Sequence, residues 1–416
     1  MSGRGAYLAG AADALLDRAE HIARLMAAEM GKPVREARSE VVRSAQILRY
    51  ATAQASMSVG EIFEQSASGH RVCTRRRPVG TVGLITPWNF PCAIPVWKIA
   101  PALIYGNTVV IKLAYEAPAT GLQVAACFQS AGLPRGVLNV LTGHGSTVGA
   151  ALVSDPRVDA VSFTGSVATG TSVRDAATSH GARVQLELGG QNAMVVMADA
   201  DLDRASDAAC AGAFSSAGQK CTATRRVYVQ DGVYDEFKRR FLDRTAGCTV
   251  GDPLDEKVDV GPLVSGPQLA DVLAAIDVAK QEGATLLSGG VRLSDEAHLL
   301  APTVFEGATD DSILTCDEVF GPVTSLYRFS SLDDAMRRAN AGRFGLAASI
   351  FTSDLATATR FQAEAQAGLI HVNSATTGAD VHVPFGGIRD SGFGPHEQGQ
   401  AARDFYTDLV TVYVDP

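Results

Sequence analysis

The sequence predicts an α/β protein with more than one domain, and three observations carry that prediction. The chain has 416 residues, too many for one compact core. From Val79 onward, short apolar runs (Val82-Gly83-Leu84-Ile85, Thr108-Val109-Val110-Ile111, Leu138-Asn139-Val140-Leu141, Val161-Ser162-Phe163) alternate with helix-like segments. Runs that are apolar on both faces suit a parallel sheet covered on both sides. A second set of such units extends from Ala193-Met194-Val195-Val196 to Gly368-Leu369-Ile370, which makes two α/β domains.

The first segment reads as helices. Leu8, Ala12, Leu15, Ala19, Ile22 and Met26 recur at three- and four-residue steps, and Gly31-Lys32-Pro33 stops the pattern. A second helical stretch covers about Arg35 to Ala55. Arg71 to Arg77 is rich in charge, with Val72 and Thr74 between, and reads as an extended, partly exposed strand. Val410-Thr411-Val412-Tyr413-Val414 reads as a strand near the chain's end, which needs either the Arg71–Arg77 strand or a neighbouring subunit as its partner.

Composition excludes several classes. The chain is 46% hydrophobic and 19% charged, the balance of a globular protein. A net charge of −9 argues against a nucleic acid or an anionic membrane as partner. Arg75, Arg76 and Arg77 are local exceptions, read as pairing with acids at an interface. The opening residues carry acids and no apolar core, unlike a signal peptide, and no apolar run is long enough to cross a bilayer. Seven cysteines without CxxC spacing suit a reducing cytoplasm, with most thiols in the core. The eight histidines lack the spacing of a metal site, and no metal is expected.

Four segments interrupt the apolar pattern with polar residues. In Thr86-Pro87-Trp88-Asn89-Phe90-Pro91 two prolines fix the backbone around one amide. Asn89 there is either an oxyanion donor or the centre of an Asx turn. Leu186-Glu187-Leu188-Gly189-Gly190 ends an apolar run on a carboxylate. Desolvation would raise its pKa toward that of a general base, whereas a strand-end glutamate can equally face solvent. In Ser215-Ser216-Ala217-Gly218-Gln219-Lys220-Cys221-Thr222, Cys221 has small neighbours that leave room for a substrate. The adjacent Lys220 is expected to favour its thiolate. Phe163-Thr164-Gly165-Ser166 could present backbone amides to a pyrophosphate. Neither it nor Gly143-His144-Gly145 is a full dinucleotide fingerprint.

Together and in this order the segments resemble the aldehyde dehydrogenase superfamily from about residue 6 to the C-terminus. TPWNFP at 86–91, GNTVVIK at 106–112, FTGS at 163–166, LELGG at 186–190, GQKC at 218–221, EVFGPV at 318–323 and PFGG with SGFG at 384–394 carry the resemblance. It implies a Rossmann-type cofactor domain (1–60 and 79–189), an α/β catalytic domain (190–390) and a small β oligomerisation element (61–78 and 404–416). By the same resemblance Cys221 is the nucleophile and Glu187 the general base. Asn89 and the Cys221 N–H form the oxyanion hole, and Lys98 and Glu397 relay protons. Residues matching the cofactor site are Ile85, Thr86, Trp88, Lys112, Tyr115, Gly145, Gly165, Ser166, Gly189, Glu318 and Phe320. The implied cofactor is NAD+ or NADP+, the partner a small aldehyde, and the assembly a homodimer or homotetramer.

Two departures from the family stand out. Many NAD+-specific members carry an acid three residues after the lysine matching Lys112, where this chain has Tyr115 and then Glu116. Without that carboxylate a 2′-phosphate is not repelled, so NADP+ is expected to be accepted. Members also usually have several tens of residues ahead of the Leu8 helix, which keeps a catalytically inactive, structural subunit as an alternative. A CoA-acylating reading is opposed by Glu187. GQKCTATRR, VNSATTGADVHVPFGG and GPHEQG most resemble α-ketoglutaric semialdehyde dehydrogenases, with succinic or glutaric semialdehyde or simple aldehydes as alternatives. Arg225, Thr222 and Ser374 are candidates for the substrate's distal carboxylate, Arg225 having an ion-pair role as its alternative.

Overall fold

In the computed structural model, residues 2–57, 60–64 and 71–414 are described. The expected oligomerisation strands therefore fall partly outside them, at 65–70 and 415–416. The N-terminal region forms three helices, Ser2–Asp17, Ala19–Met30 and Val34–Gln54. The periodic stretch from Leu8 to Met26 is thus two helices, parted at Arg18 with φ −105° and ψ 11°. Gly31 ends the second helix in the left-handed conformation, its N–H closing onto the Ala27 carbonyl.

Two large sheets follow. The first has six strands, in spatial order Gly392–Phe393, Arg183–Glu187, Ala160–Thr164, Thr81–Ile85, Thr108–Lys112 and Leu138–Leu141. All pairs are parallel except the short Gly392–Phe393 edge. The order reverses at Thr81–Ile85, the doubly wound arrangement that opens a crevice at the strands' carboxyl ends. Ile85, Lys112, Thr164 and Glu187 all stand at that end.

The second sheet has seven strands, with Asn192–Val196, Thr224–Gln230, Val323–Phe329 and Ala347–Phe351 at its centre. Asn192–Val196 and Ala347–Phe351 are buried at every position, which is why they read as unbroken apolar runs. Each sheet has its own apolar core, one on the N-terminal helices and one on the helices Leu202–Phe214, Tyr234–Ala246 and Gly266–Gln281.

The helix Ala93–Ile104 is buried on every side. Truncating Ile99 or Leu103 there to alanine would cost about 2–5 kcal/mol. This enclosure carries Lys98 into the interior. A third, small sheet pairs Arg71–Pro78 with Thr407–Val414 antiparallel along its whole length. Arg76 is engaged within the chain, by Asp404 at 2.6 Å and Thr407 at 2.9 Å. No helix among the described residues is long and apolar enough to cross a membrane.

Candidate active site

The site forms where the carboxyl ends of the first sheet meet the start of the second. Asn89 follows the strand Thr81–Ile85 and is 4% exposed. Its Nδ2 donates to the Gln219 carbonyl at 2.9 Å, so the segment before Cys221 is tied directly to it. The amide's other N–H stays free to donate. Cys221 is half-buried, and its carbonyl accepts from Asn192 Nδ2 at 2.8 Å.

The turn leading to Cys221 is strained. Ser216 and Ala217 have φ of 51° and 54°, and Gly218 follows at 67°. Non-glycine residues in this region cost of order 1–3 kcal/mol each and persist only where neighbours hold them. Here Glu36 supplies the hold, accepting from Ser216 N at 2.9 Å and Ser216 Oγ at 2.6 Å. Gly218 lies so close to the Gly321 carbonyl that a Cβ would collide with it.

Glu187, 3% exposed, ends its strand with Oε2 lacking a hydrogen-bond partner among the described residues. Burial raises its pKa well above the ordinary carboxylate value, Glu397 raises it further, and Lys98 opposes both. Gly386 leaves space for this carboxylate, since a Cβ there would sit 2.9 Å from Glu187 Oε1. Lys98 and Glu397 form a buried ion pair, and Ser162 Oγ bridges it, 2.7 Å from Lys98 Nζ and 2.9 Å from Glu397 Oε1. The Cys221 thiol is pushed up to about 12 by burial, then by Glu318 and then by Glu187. Lys220 does not favour the thiolate as expected. Its ammonium turns to Glu36, 3.2 Å away.

Glu318 accepts from Gly190 N at 3.0 Å, and a Cβ on Gly189 would strike its carboxylate. Burial raises its pKa to about 7. Phe320 meets Trp88 edge to face at 5.5 Å. Along the crevice, Ile85 and Lys112 are register partners, and Thr86 N donates to the Lys112 carbonyl at 3.3 Å. Thr86 Oγ1 is buried without a hydrogen-bond partner among the described residues. Lys112 is buried and makes no hydrogen bond or ion pair among the described residues, and burial lowers its pKa. Ser166 caps the helix Val167–Thr178, and Gly165 packs over the Phe163 ring. Exposed Tyr115 stacks on His144 at 4.1 Å, next to exposed Gly145, far along the sheet toward its Leu138–Leu141 edge. A dinucleotide fits this donor set: an unspent buried cation, an unspent hydroxyl and a capped helix N-terminus line one crevice.

Residues 1–412 match the aldehyde dehydrogenase family. The chain belongs to that family. It is 45% identical to the alpha-ketoglutaric semialdehyde dehydrogenase of Bacillus subtilis (strain 168), covering 99% of this chain and 86% of that one. It is 41% identical to the 2,5-dioxopentanoate dehydrogenase of Saccharolobus solfataricus, with the same coverages. Its fold matches the NAD-dependent aldehyde dehydrogenase of Sinorhizobium meliloti with a TM-score of 0.97. That match is at 38% identity and covers 99% of this chain and 82% of the other. As a member of the family the protein oxidises aldehydes with NAD(P)+, and these likenesses do not favour an inactive subunit.

Among the substrate candidates, Arg225 turns toward the protein's own backbone. Its guanidinium is buried, its two terminal nitrogens donate to the carbonyls of Gly218, Gly321 (2.5 Å) and Val323 (3.3 Å) while Nε has no partner among the described residues, and burial pulls its pKa down to about 10. It braces the nucleophile turn, and it does not serve as a surface ion-pair partner either. Thr222 is buried, its carbonyl accepting from Thr376 Oγ1 at 2.8 Å. Ser374 is exposed, and its carbonyl accepts from Ser349.

Sequence reasoning missed Lys32, Glu36 and Glu40. Lys32 donates to the Asn89 carbonyl at 2.7 Å and pairs with buried Glu40, which accepts from Cys92 N (2.9 Å) and Ala93 N (3.0 Å). The readable signal was a lysine between two helix breakers with two acids soon after.

Proposed function

We propose that the protein oxidises a semialdehyde bearing a distal carboxylate, such as α-ketoglutaric semialdehyde, to the dicarboxylic acid, with Cys221 as the nucleophile. The observation that carries the reading is that Cys221 lies within electrostatic reach of both Glu187 and Glu318. Cys221 attacks the aldehyde carbon to form a thiohemiacetal whose oxyanion accepts from Asn89 Nδ2 and the Cys221 N–H. NAD(P)+ supplies the hydride acceptor. Loss of hydride leaves a thioester on Cys221. Glu187, whose proton affinity burial raises, takes a proton from the attacking water, and Lys98 and Glu397 carry it onward. Glu318 would hold the nicotinamide ribose, with Trp88 and Phe320 packing beside it. Ser166 and Gly165 would meet the pyrophosphate, and Lys112 and Thr86 the adenosine half.

For the distal carboxylate, the geometry favours a cavity of about 690 Å³ that reaches Phe90 and Lys220, the neighbours of Asn89 and Cys221. Of the cations lining it, Lys32, Arg35, Lys220 and Arg244 are each paired with a carboxylate. Arg43 has none within ion-pair distance among the described residues; its guanidinium donates to the Ala379 carbonyl, with Asp380 and Glu40 acting on it from further off. Arg43 therefore replaces Arg225 as the carboxylate reader. Lys112 with Tyr115 in place of an acid supports use of NADP+ beside NAD+. The outer edge of Thr407–Val414 exposes Leu409, Tyr413 and Val414 and has no further strand among the described residues, which supports a homodimer or homotetramer. The site of action is the cytoplasm, which suits seven free cysteines.

The test is NAD(P)H formation on α-ketoglutaric, succinic and glutaric semialdehydes, propanal and benzaldehyde, with each cofactor separately. A preference for a carboxylated semialdehyde that Arg43→Ala removes through KM, while propanal turnover is unchanged, is the expected result. Equal rates on propanal and the semialdehydes would sink the substrate reading.

A further inference from the structure

The far wall of the same cavity holds two thiols. Cys210 lies on the helix Leu202–Phe214, and Cys248 follows the end of the helix Tyr234–Ala246. Their sulfurs are 3.6 Å apart, and both residues are half-buried. They are thus in contact with each other and reachable through a cavity large enough for small solutes. From this geometry we propose that Cys210 and Cys248 are a dithiol that a hydroperoxide converts to a reversible disulfide, separate from the nucleophile Cys221.

The surroundings set the order of events. The two thiols share one S–H···S contact in which either sulfur can donate, and the Cys248 thiol also reaches the Arg244 carbonyl at 3.6 Å. With Cys210 as the donor, that contact lowers the Cys248 thiol's pKa against burial and Asp259 and raises that of Cys210, so we assign Cys248 as the attacking sulfur. Cys221 is held as a thiol by burial beside two carboxylates. Since the thiolate is the reactive form, the pair reacts ahead of the nucleophile. Cys248 sulfur attacks one peroxide oxygen: an S–O bond forms, the O–O bond breaks, and the departing oxygen takes a proton to leave as water. Cys210 sulfur then attacks the sulfenic sulfur. The S–S bond forms, the S–O bond breaks, and the second water leaves with the Cys210 proton. Two thiols are oxidised by two electrons and one hydrogen peroxide is reduced to two waters.

A disulfide needs an S–S bond of about 2.05 Å, so the sulfurs must close by about 1.5 Å. Cys248 can supply this movement. It lies beyond its helix, after exposed Ala246 and Gly247, and before the bridge from Val250 to Val260. Cys210 cannot move as freely, because its helix runs directly into the turn that Glu36 holds.

Trypsin separates the three cysteines. Cys210 falls in Ala205–Lys220, Cys221 in Cys221–Arg225 and Cys248 in Thr245–Lys257. The full chain is treated with hydrogen peroxide, its free thiols are alkylated, and it is digested without reductant. The expected result is a linked Ala205–Lys220 and Thr245–Lys257 species, two hydrogens lighter than the sum. It should appear before Cys221–Arg225 gains oxygen, and dithiothreitol should reverse it. Cys210→Ser should eliminate the link and leave Thr245–Lys257 carrying a sulfenic acid that a dimedone probe captures. Full alkylation of both peptides while Cys221–Arg225 is oxidised would overturn the proposal, as would a link that includes Cys221. Because the decisive species arises in the unsubstituted protein, a poorly folded variant does not blur the outcome.

Discussion

The Lys98 ammonium and the Glu397 carboxylate meet in a buried ion pair although 299 residues separate them in the chain. Their charges act on Glu187 in opposite directions, Glu397 raising its pKa and Lys98 lowering it. Removing either partner leaves an uncompensated charge and should cost about 3–5 kcal/mol of stability. The two substitutions should nonetheless part in the pH profile of kcat. Glu397→Gln leaves Lys98 facing Glu187, so the acid limb should move to lower pH. Lys98→Met leaves two facing carboxylates that share a proton, and the limb should move to higher pH. Shifts of the same sign would show that these charges do not tune Glu187.

Glu187→Gln removes the group proposed to activate water while leaving Cys221 intact. Thioester formation should survive and its hydrolysis should slow by two to four orders of magnitude, about the range for a general base. Rapid-quench kinetics should then show about one NAD(P)H per active site, followed by near silence. Cys221→Ala should abolish both phases and keep cofactor binding measurable. A steady rate without a burst in Glu187→Gln would assign the base elsewhere.

Glu40 is expected to matter for catalysis without touching substrate. It neutralises Lys32 and accepts from the N–H groups of Cys92 and Ala93, so it fixes both sides of Asn89. Glu40→Ala should lower the melting point, consistent with a loss of about 3–5 kcal/mol. In protein folded at low temperature it should lower kcat more than it raises KM. Glu40→Gln should restore part of the stability, because its amide oxygen still accepts from those N–H groups.

Cofactor affinity should depend on pH through Glu318. Its pKa is raised to about 7, so at lower pH it is protonated and a poorer acceptor for ribose hydroxyls. In the free protein the neutral form is the favoured one. Its contribution to stability is therefore complete below the unfolded value of 4.5 and is lost as pH rises through about 7. Binding that favours the ionised form releases a proton. Calorimetry should show NAD+ binding tighten as pH rises to about 7 and level off above it, and Glu318→Gln should flatten the curve. Equal slopes in both proteins would remove Glu318 from this role.

The parallel strands were legible because burial on both faces leaves continuous apolar runs such as Ala193 to Val196. The family resemblance assigns Asn89, Glu187 and Cys221 to one site from the sequence alone. What could not be read came from distant partners. Ser216 and Ala217 adopt left-handed backbone without being glycine, because a glutamate 180 residues away holds them. Arg225 looked available to a ligand, since nothing local shows that the carbonyls of Gly321 and Val323 consume it. The break at Arg18 is equally silent, for the apolar spacing continues across it. Lys220 was read from adjacency to Cys221, but its side chain follows Glu36 instead.

The long sequence separation within the Lys98–Glu397 pair also constrains the order in which the protein can mature. A ribosome releases Lys98 with its helix roughly three hundred peptide bonds before its counter-charge is synthesised. Until then, closing the Ala93–Ile104 helix into the interior would strand an ammonium without a partner, at a cost of several kcal/mol. The first sheet can pair its parallel strands during synthesis, but its centre should stay hydrated until residue 397 has emerged. A nascent chain arrested short of that point should therefore show native-like helices while its Lys98 region remains open to proteases. Catalytic competence would arrive only after residue 397 has been added.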